Sequence, residues 1–272
     1  MSGVTRFYLG THRGRWLEDH QFVGIPLFVT YNTLSAYQRR GDDFPKGIAT
    51  DYAIDSGAYT EISRFGDWRD PPDIYGGRVY RFIEDIGRPP DFVAIQDMPC
   101  EPSALAASGF TVTDHLEFTL DSLLYLRREF PHARWLPTLQ GWRLEDYLRH
   151  EQMHREAGVD LTQEPLVGLG SVCKRVSSAE IAAIVTTLAA QGIRLHCFGV
   201  KRDGLARVGH AISSADSLAW SATARRSGIR LPGCVHRGPC NNCPRYARQW
   251  WQETVDLQNV PQQSALALSF AA

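Results

Sequence analysis

A chain of 272 residues with 43% hydrophobic and 22% charged side chains carries enough apolar material for a sizeable core, and α/β barrels commonly fill about 250 residues as one domain. Its formal net charge of -1 excludes a globally basic nucleic-acid binder, so any such footprint must be local. The opening MSGVTRFYLGTHRGR has no apolar run like a secretory signal, and no stretch approaches the roughly 20 apolar residues of a membrane span. The expectation is a cytoplasmic protein with no membrane partner.

Strand-like runs recur at 7–10, 26–31, 52–55, 92–97, 135–140, 166–172, 195–200 and 215–220. Most are short, continuous and apolar, as in parallel strands covered on both faces. Helical periodicity lies between them. Residues 113–128 place Leu116, Leu120, Leu123, Leu124 and Arg127 at helical spacing behind Thr113 as N-cap. Residues 144–157 are charged and amphipathic and stop before Gly158. Residues 177–190 open on the capping-box pattern Ser-Ser-Ala-Glu180 and stop at Gly192. This alternation predicts an α/β fold, a (β/α)8 TIM barrel occupying 1–272 as a single domain, in preference to an open doubly wound sheet. Two long interruptions, 58–78 and 221–243, follow strands and belong on the rim where barrel sites are built. The first, rich in aromatic, Arg, Gly and Pro residues, reads as a substrate-covering loop. The tail from Val260 has no evident packing partner.

The strand ends carry the chemistry. Asp55-Ser56-Gly57 ends the third run, Asp97 the fourth, Gln140-Gly141 the fifth and Lys201 the seventh. Gly168-Leu169-Gly170-Ser171 forms the sixth, and Asp216 stands in the eighth. Polar groups ending adjacent parallel strands converge on one mouth. Three carboxylates there suit attack and proton transfer at an acetal-like carbon, where one carboxylate attacks and another shuttles the proton. A carboxylate beside a Gln suits a purine, accepting its N–H groups while the amide donates to its oxygen. Lys201 is a candidate contact to a phosphate or to one of the Asp residues. Two histidines, His150 and His154, share the i,i+4 spacing of a metal pair. They lie on a charged helix away from any strand end, and Cys100 reads as packing.

Behind the eighth run comes Cys234-x-His236-x3-Cys240-x2-Cys243, three thiolates and an imidazole within ten residues. This is the complement of a closed tetrahedral structural Zn2+ site, within a small zinc-binding insertion over about 221–248. The other cysteines, Cys100, Cys173 and Cys197, are scattered and read as reduced thiols. Arg225, Arg226, Arg230, Arg237, Arg245 and Arg248 surround the cluster, a local basic patch suited to phosphates.

Taken in order, these motifs resemble the tRNA-guanine transglycosylase superfamily, and most closely its DNA-acting branch, the deazapurine DNA modification (DpdA) proteins. The resemblance implies that Asp216 is the nucleophile and Asp55 the general acid/base. It implies that Asp97, Gln140 and the backbone of Gly168, Leu169 and Gly170 hold the base, beside Ser56 and Gly57. It also implies a structural zinc at this place, although the family's usual order is Cys-x-Cys-x2-Cys with a distant His. The reaction implied is exchange of guanine in DNA, single-stranded or flipped, for a free 7-deazaguanine such as 7-cyano-7-deazaguanine. Alternatives are exchange in tRNA, hydrolytic N-glycosidase action, and a non-catalytic zinc-dependent nucleic-acid-binding subunit. A second copy of the chain, as a homodimer, is among the expected partners.

Overall fold

The computed structural model describes residues 6–40, 43–173, 175 and 178–257. All strand pairs are parallel, in the order β5-β4-β3-β2-β1-β9-β8-β7-β6. The strands are β1 (Arg6–Thr11), β2 (Leu27–Thr30), β3 (Tyr52–Asp55), β4 (Val93–Ala94), β5 (Trp135–Leu136), β6 (Thr138–Leu139), β7 (Val167–Leu169), β8 (Leu195–Cys197) and β9 (Ser214–Ser217). Only Pro137 separates β5 from β6. Val93 pairs with Trp135 on one side of that proline, and Thr138 pairs with Gly168 on the other. The two pieces are one barrel strand divided where proline lacks a ladder N–H, and the sheet closes through it. The (β/α)8 barrel expected from the sequence is therefore the fold.

The helices are α1 (Tyr31–Arg40), α2 (Ala58–Phe65), α3 (Pro72–Ile86), α4 (Pro102–Ser108), α5 (Val112–Glu129), α6 (Leu144–Glu156), α7 (Ala179–Ala190), α8 (Arg202–Val208), α9 (Ala219–Arg226) and α10 (Pro244–Asp256). Several expectations shift. Helix α5 is N-capped by Thr111 rather than Thr113, because the Thr111 hydroxyl and Asp114 carboxylate cap each other's backbone N–H in a complete capping box. Ser178 caps α7 by accepting from the Ile181 N–H, while Ser177, the expected start, and the tail from Val260 lie outside the described residues. Residues 58–78 are not a long loop. They form α2 and the start of α3, and the short connection is pinned by Arg69 on Glu61 (2.8 and 2.6 Å), Tyr31 on Asp70 (2.7 Å) and an Arg78–Asp70 ion pair.

Side-chain alternation along the strands builds two cores. Phe7, Leu9, Leu27, Val29, Ile54, Val93, Leu169 and Leu195 face outward and pack under the helices. Tyr8, Phe28, Ala53, Phe92 and Leu136 fill the barrel interior together with Phe198. A polar layer closes the strand N-termini. Arg6 reaches Asp51 (2.7 Å) and Asp91 (2.8 Å), Tyr8 donates to Asp91 (2.9 Å), and Arg88 pairs with Asp51. Helix α10 covers β1, with Trp251 Nε1 donating to the Phe7 carbonyl (2.8 Å) and Arg202 held on the Trp250 carbonyl and Thr254. The first residue after the last strand to be fully enclosed is Trp220. It stacks on Trp16 at 5.5 Å and donates to the Gly10 carbonyl at 2.9 Å. Replacing Trp220 with Ala is expected to cost about 3–5 kcal/mol in denaturant unfolding, with Trp220→Phe losing less because most of the volume is kept.

Candidate active site

At the C-terminal ends of the strands a cavity of about 130 Å³ is lined by Asp55, Ser56, Gly57, Asp97, Glu101, Gln140, Gly170, Ser171, Phe198 and the first residues of α2. Asp55 ends β3, and its carboxyl accepts from the Gly57 backbone and the Thr30 hydroxyl. Desolvation, followed by repulsion from Asp216 and Asp97, nevertheless raises it to about 7. Strand β4 stops at Ala94, three residues short of the run expected from the sequence. The Asp97 N–H turns back to the Ile95 carbonyl (3.0 Å), which carries the Asp97 side chain into the mouth. There it accepts from Ser56 Oγ at 3.0 Å and from the Gln140 amide. Burial raises it to about 6 against these stabilising bonds.

Gln140 is held at three points. Its side-chain N–H donates to Asp97, its Oε1 lies 2.6 Å from the Ser171 hydroxyl, and its backbone N–H donates to His150 Nδ1 at 2.9 Å. His150 therefore braces a strand end, contrary to the expectation that its helix stands apart. His150 and His154 are both fully enclosed. Burial pushes both imidazoles down, His150 well below its ordinary value, so they stay neutral. Ser171 takes a left-handed backbone (φ 57°). Its hydroxyl accepts from the Cys100 N–H at 2.7 Å and sits 3.1 Å from Glu101 Oε2. The chain Ser56–Asp97–Gln140–Ser171–Glu101 is thus a continuous buried network along one wall. Glu101, a cavity residue, escaped the sequence reading because Glu101-Pro102 looks like the opening of a helix, which it also is.

The glycines supply room. A Cβ on Gly168 would meet Phe198 at 2.7 Å and Thr138 Oγ1 at 2.8 Å, and one on Gly170 would overlap the Gln140 amide. Between them Leu169 points the other way, into the core beneath the helices, so only its backbone is available to the mouth. Lys201 precedes α8 with an exposed side chain and is absent from the cavity wall. Asp216, buried on β9, lies close enough to raise Asp55, and its Oδ1 accepts from the Gly199 N–H at 2.9 Å.

The ligand atoms of Cys234, His236, Cys240 and Cys243 all lie within 4.8 Å of one another. Cys234 Sγ is 3.7 Å from each of the other two sulfurs, and Cys240 Sγ is 3.5 Å from His236 Nε2. A tetrahedron with metal–sulfur bonds of about 2.3 Å has sulfur–sulfur edges of roughly 3.8 Å. The four residues fit a metal ion and can hold one. The Leu231 N–H points at Cys240 Sγ (3.3 Å), Cys243 caps α10, and Ser221 on α9 donates to the Asn241 carbonyl (2.7 Å), so the cluster ties α9 to α10. Arg225, Arg226, Arg237 and Arg248 are exposed around it. Arg230 and Arg245 brace the loop itself, donating to the Cys234 (2.9 Å) and Pro232 (3.1 Å) carbonyls.

The match of a family model to nearly the whole chain makes it a transglycosylase-type protein of the tRNA-guanine transglycosylase superfamily. Within it, the family model for DpdA, DeoxyPurine in DNA protein A, matches residues 4–271, and the chain belongs to that family. No curated protein matches the chain. Among the described residues no helix is long and apolar enough to cross a membrane.

The raised Asp55 carboxyl binds a proton more tightly folded than unfolded, so its contribution to stability falls as pH rises from about 4 through about 7. Asp55→Asn is therefore expected to raise the Tm by at least about 2 °C at pH 8 and to have little effect at pH 4. Thermal melts across that range check both the sign and the window.

Proposed function

We propose that the protein exchanges guanine in DNA for a free 7-deazaguanine base, 7-cyano-7-deazaguanine being the first to test, through an ester between Asp216 and the sugar. The observation that carries this reading is that Asp55, held near 7, lines one mouth with the Asp97–Gln140 pair, while Asp216, buried on β9 outside the cavity wall, stands close enough to raise it. One Asp216 oxygen attacks C1′ as the C1′–N9 bond breaks, and Asp55 gives its proton to a ring nitrogen of the departing guanine. The incoming base then loses its N9 proton to Asp55 and forms the new C1′–N9 bond as the ester breaks. Two inversions leave the configuration at C1′ unchanged. Asp97 and Gln140, paired with each other, turn to the edge of the base, and the glycines at 168 and 170 let Phe198 and the Gln140 amide pack directly on the strand backbone beside it.

Reaching C1′ requires the target guanine to leave the stack, so single-stranded or flipped DNA is the substrate form. Phosphate contacts fall first to Arg225, Arg226 and Arg237, because Arg230 and Arg245 are engaged with the loop. Zn2+ at Cys234, His236, Cys240 and Cys243 is structural, since four protein ligands leave no open position. The family's description, a deoxypurine in DNA, supports DNA over tRNA.

Incubation with labelled guanine and either a DNA or a tRNA substrate should label DNA alone, and labelling of tRNA alone would reverse the choice of polymer. Asp216→Asn should lower exchange at least about a thousand-fold; exchange that persists in this variant removes Asp216 from the mechanism. Because Asp55 must carry a proton for the first step, kcat/KM for DNA should fall about tenfold per pH unit above about 7. Stripping the metal with a chelator should lower the Tm, and zinc should restore it, which a pair of melts reads directly.

A further inference from the structure

His196 stands on β8 one layer below the mouth and is completely enclosed. Its ring packs among Tyr8, Phe28, Phe92 and Phe198 at centroid distances of 6.0, 5.6, 4.9 and 4.9 Å. An imidazole in an aromatic box is costly unless both nitrogens are used. Nδ1 is used, 2.8 Å from Ser214 Oγ on the adjacent strand. Among the described residues Nε2 has no hydrogen-bond partner, and it lies 3.5 Å from Asp216 Oδ1. A lone pair on Nε2 would face the carboxylate unfavourably, whereas a proton there faces it favourably. The proton therefore belongs on Nε2, and Nδ1 accepts from the Ser214 hydroxyl.

The same Oδ1 also receives the Gly199 N–H at 2.9 Å, and the Val200 N–H donates to the Asp216 backbone carbonyl at 2.8 Å. Gly199 has φ +65°, and a Cβ on it would meet the Cys173 Cβ at 2.7 Å, so glycine is required to aim that N–H. The Gly199 N–H and the His196 Nε2–H thus face the same Oδ1, while the Val200 N–H serves the Asp216 backbone carbonyl.

We propose that His196 is a positioning residue for Asp216. Through its Nε2–H it fixes Oδ1 beside the Gly199 N–H, so that Oδ2 faces C1′. This rests on Asp216 being the nucleophile. When the C1′–Oδ2 bond forms, Oδ1 becomes the ester carbonyl oxygen and its donors hold it weakly. When that bond breaks, the electron pair returns to the carboxylate and the same donors stabilise the charge. The 3.5 Å separation is long for a hydrogen bond and closes as the substrate expels water, as catalytic contacts do on binding. The donors therefore favour ester breakdown over ester formation.

The test uses the full chain with a DNA oligonucleotide and labelled guanine, quenched in denaturant to count protein joined to DNA. His196→Phe should raise the joined fraction at steady state about threefold or more, with kcat for exchange and KM for DNA falling together because breakdown of the ester is the slowed step. His196→Gln, which keeps a donor, should move the fraction back toward wild type. Ser214→Ala should shift it in the same direction as Phe but less, and serves as the probe if the Phe variant does not fold. A purely structural role would reduce joined protein and exchange in parallel, or make the Phe and Gln variants equal, and either result overturns the proposal. If wild type itself forms no joined species while exchange proceeds, the nucleophile reading fails and takes the proposal with it. If wild type forms one and the partition ignores residues 196 and 214, the proposal alone fails.

Discussion

Asp55 and Asp97 line one mouth that water reaches poorly, Asp216 stands buried close to Asp55, and the surrounding structure is arranged around bearing their repulsion. Each carboxylate is treated differently. Asp216 receives the Gly199 N–H, and Asp97 receives Ser56 and Gln140. Asp55 has the Gly57 and Thr30 contacts, yet desolvation and its two neighbours outweigh them and hold it near 7. Separating the proton affinities of neighbouring acids is how one site obtains an anion and a proton donor at the same pH. A group near 7 can give and recover a proton at neutral pH with little driving-force penalty, which the proposed base exchange needs twice.

The rest of the barrel holds that arrangement still. Beneath the acids lies the aromatic layer around His196, and beneath that the ion-paired floor of Arg6, Asp51, Arg88 and Asp91. The aromatic layer keeps the dielectric low, so donors and repulsions in the mouth act at nearly full strength. On the outside, α10 lies across β1, next to the strand that carries Asp216, because Tyr8 pairs in register with Asp216. The Cys/His clasp anchors the start of that helix. Its effect on the mouth passes through β1, not through a ligand position.

Much of this was legible in the sequence because strand order and strand-end chemistry are local signals. Asp55, Asp97, Gln140, Gly170 and Asp216 each follow or end an apolar run, and parallel strands must bring such ends together. The clasp was legible from spacing alone. What escaped depended on contacts between distant segments. Glu101 reaches the network through Ser171, seventy residues away. His150 meets Gln140 only after α6 folds back on its strand, and a charged helix gives no hint of that. His196 looked like one residue of an apolar run because alternation, the signal that separates inward from outward positions, is invisible in a strand buried on both faces. Leu169 enters the expected site through its backbone, and its side chain points to the outer core. The expected covering loop at 58–78 failed for another reason. Gly66 caps the end of α2, Pro71 and Pro72 open α3, and Gly76 and Gly77 lie within α3, so none of them marks an open loop.

The account stands on which carboxylate becomes bonded to the sugar. Protein quenched during turnover on a DNA oligonucleotide, digested and sequenced by mass spectrometry, reports that residue directly. The account predicts a nucleotide adduct on Asp216 in the peptide containing Ser214–Ser217, with none on Asp55 or Asp97. An adduct on either of those residues, or sustained exchange with no adduct on any carboxylate, would contradict it.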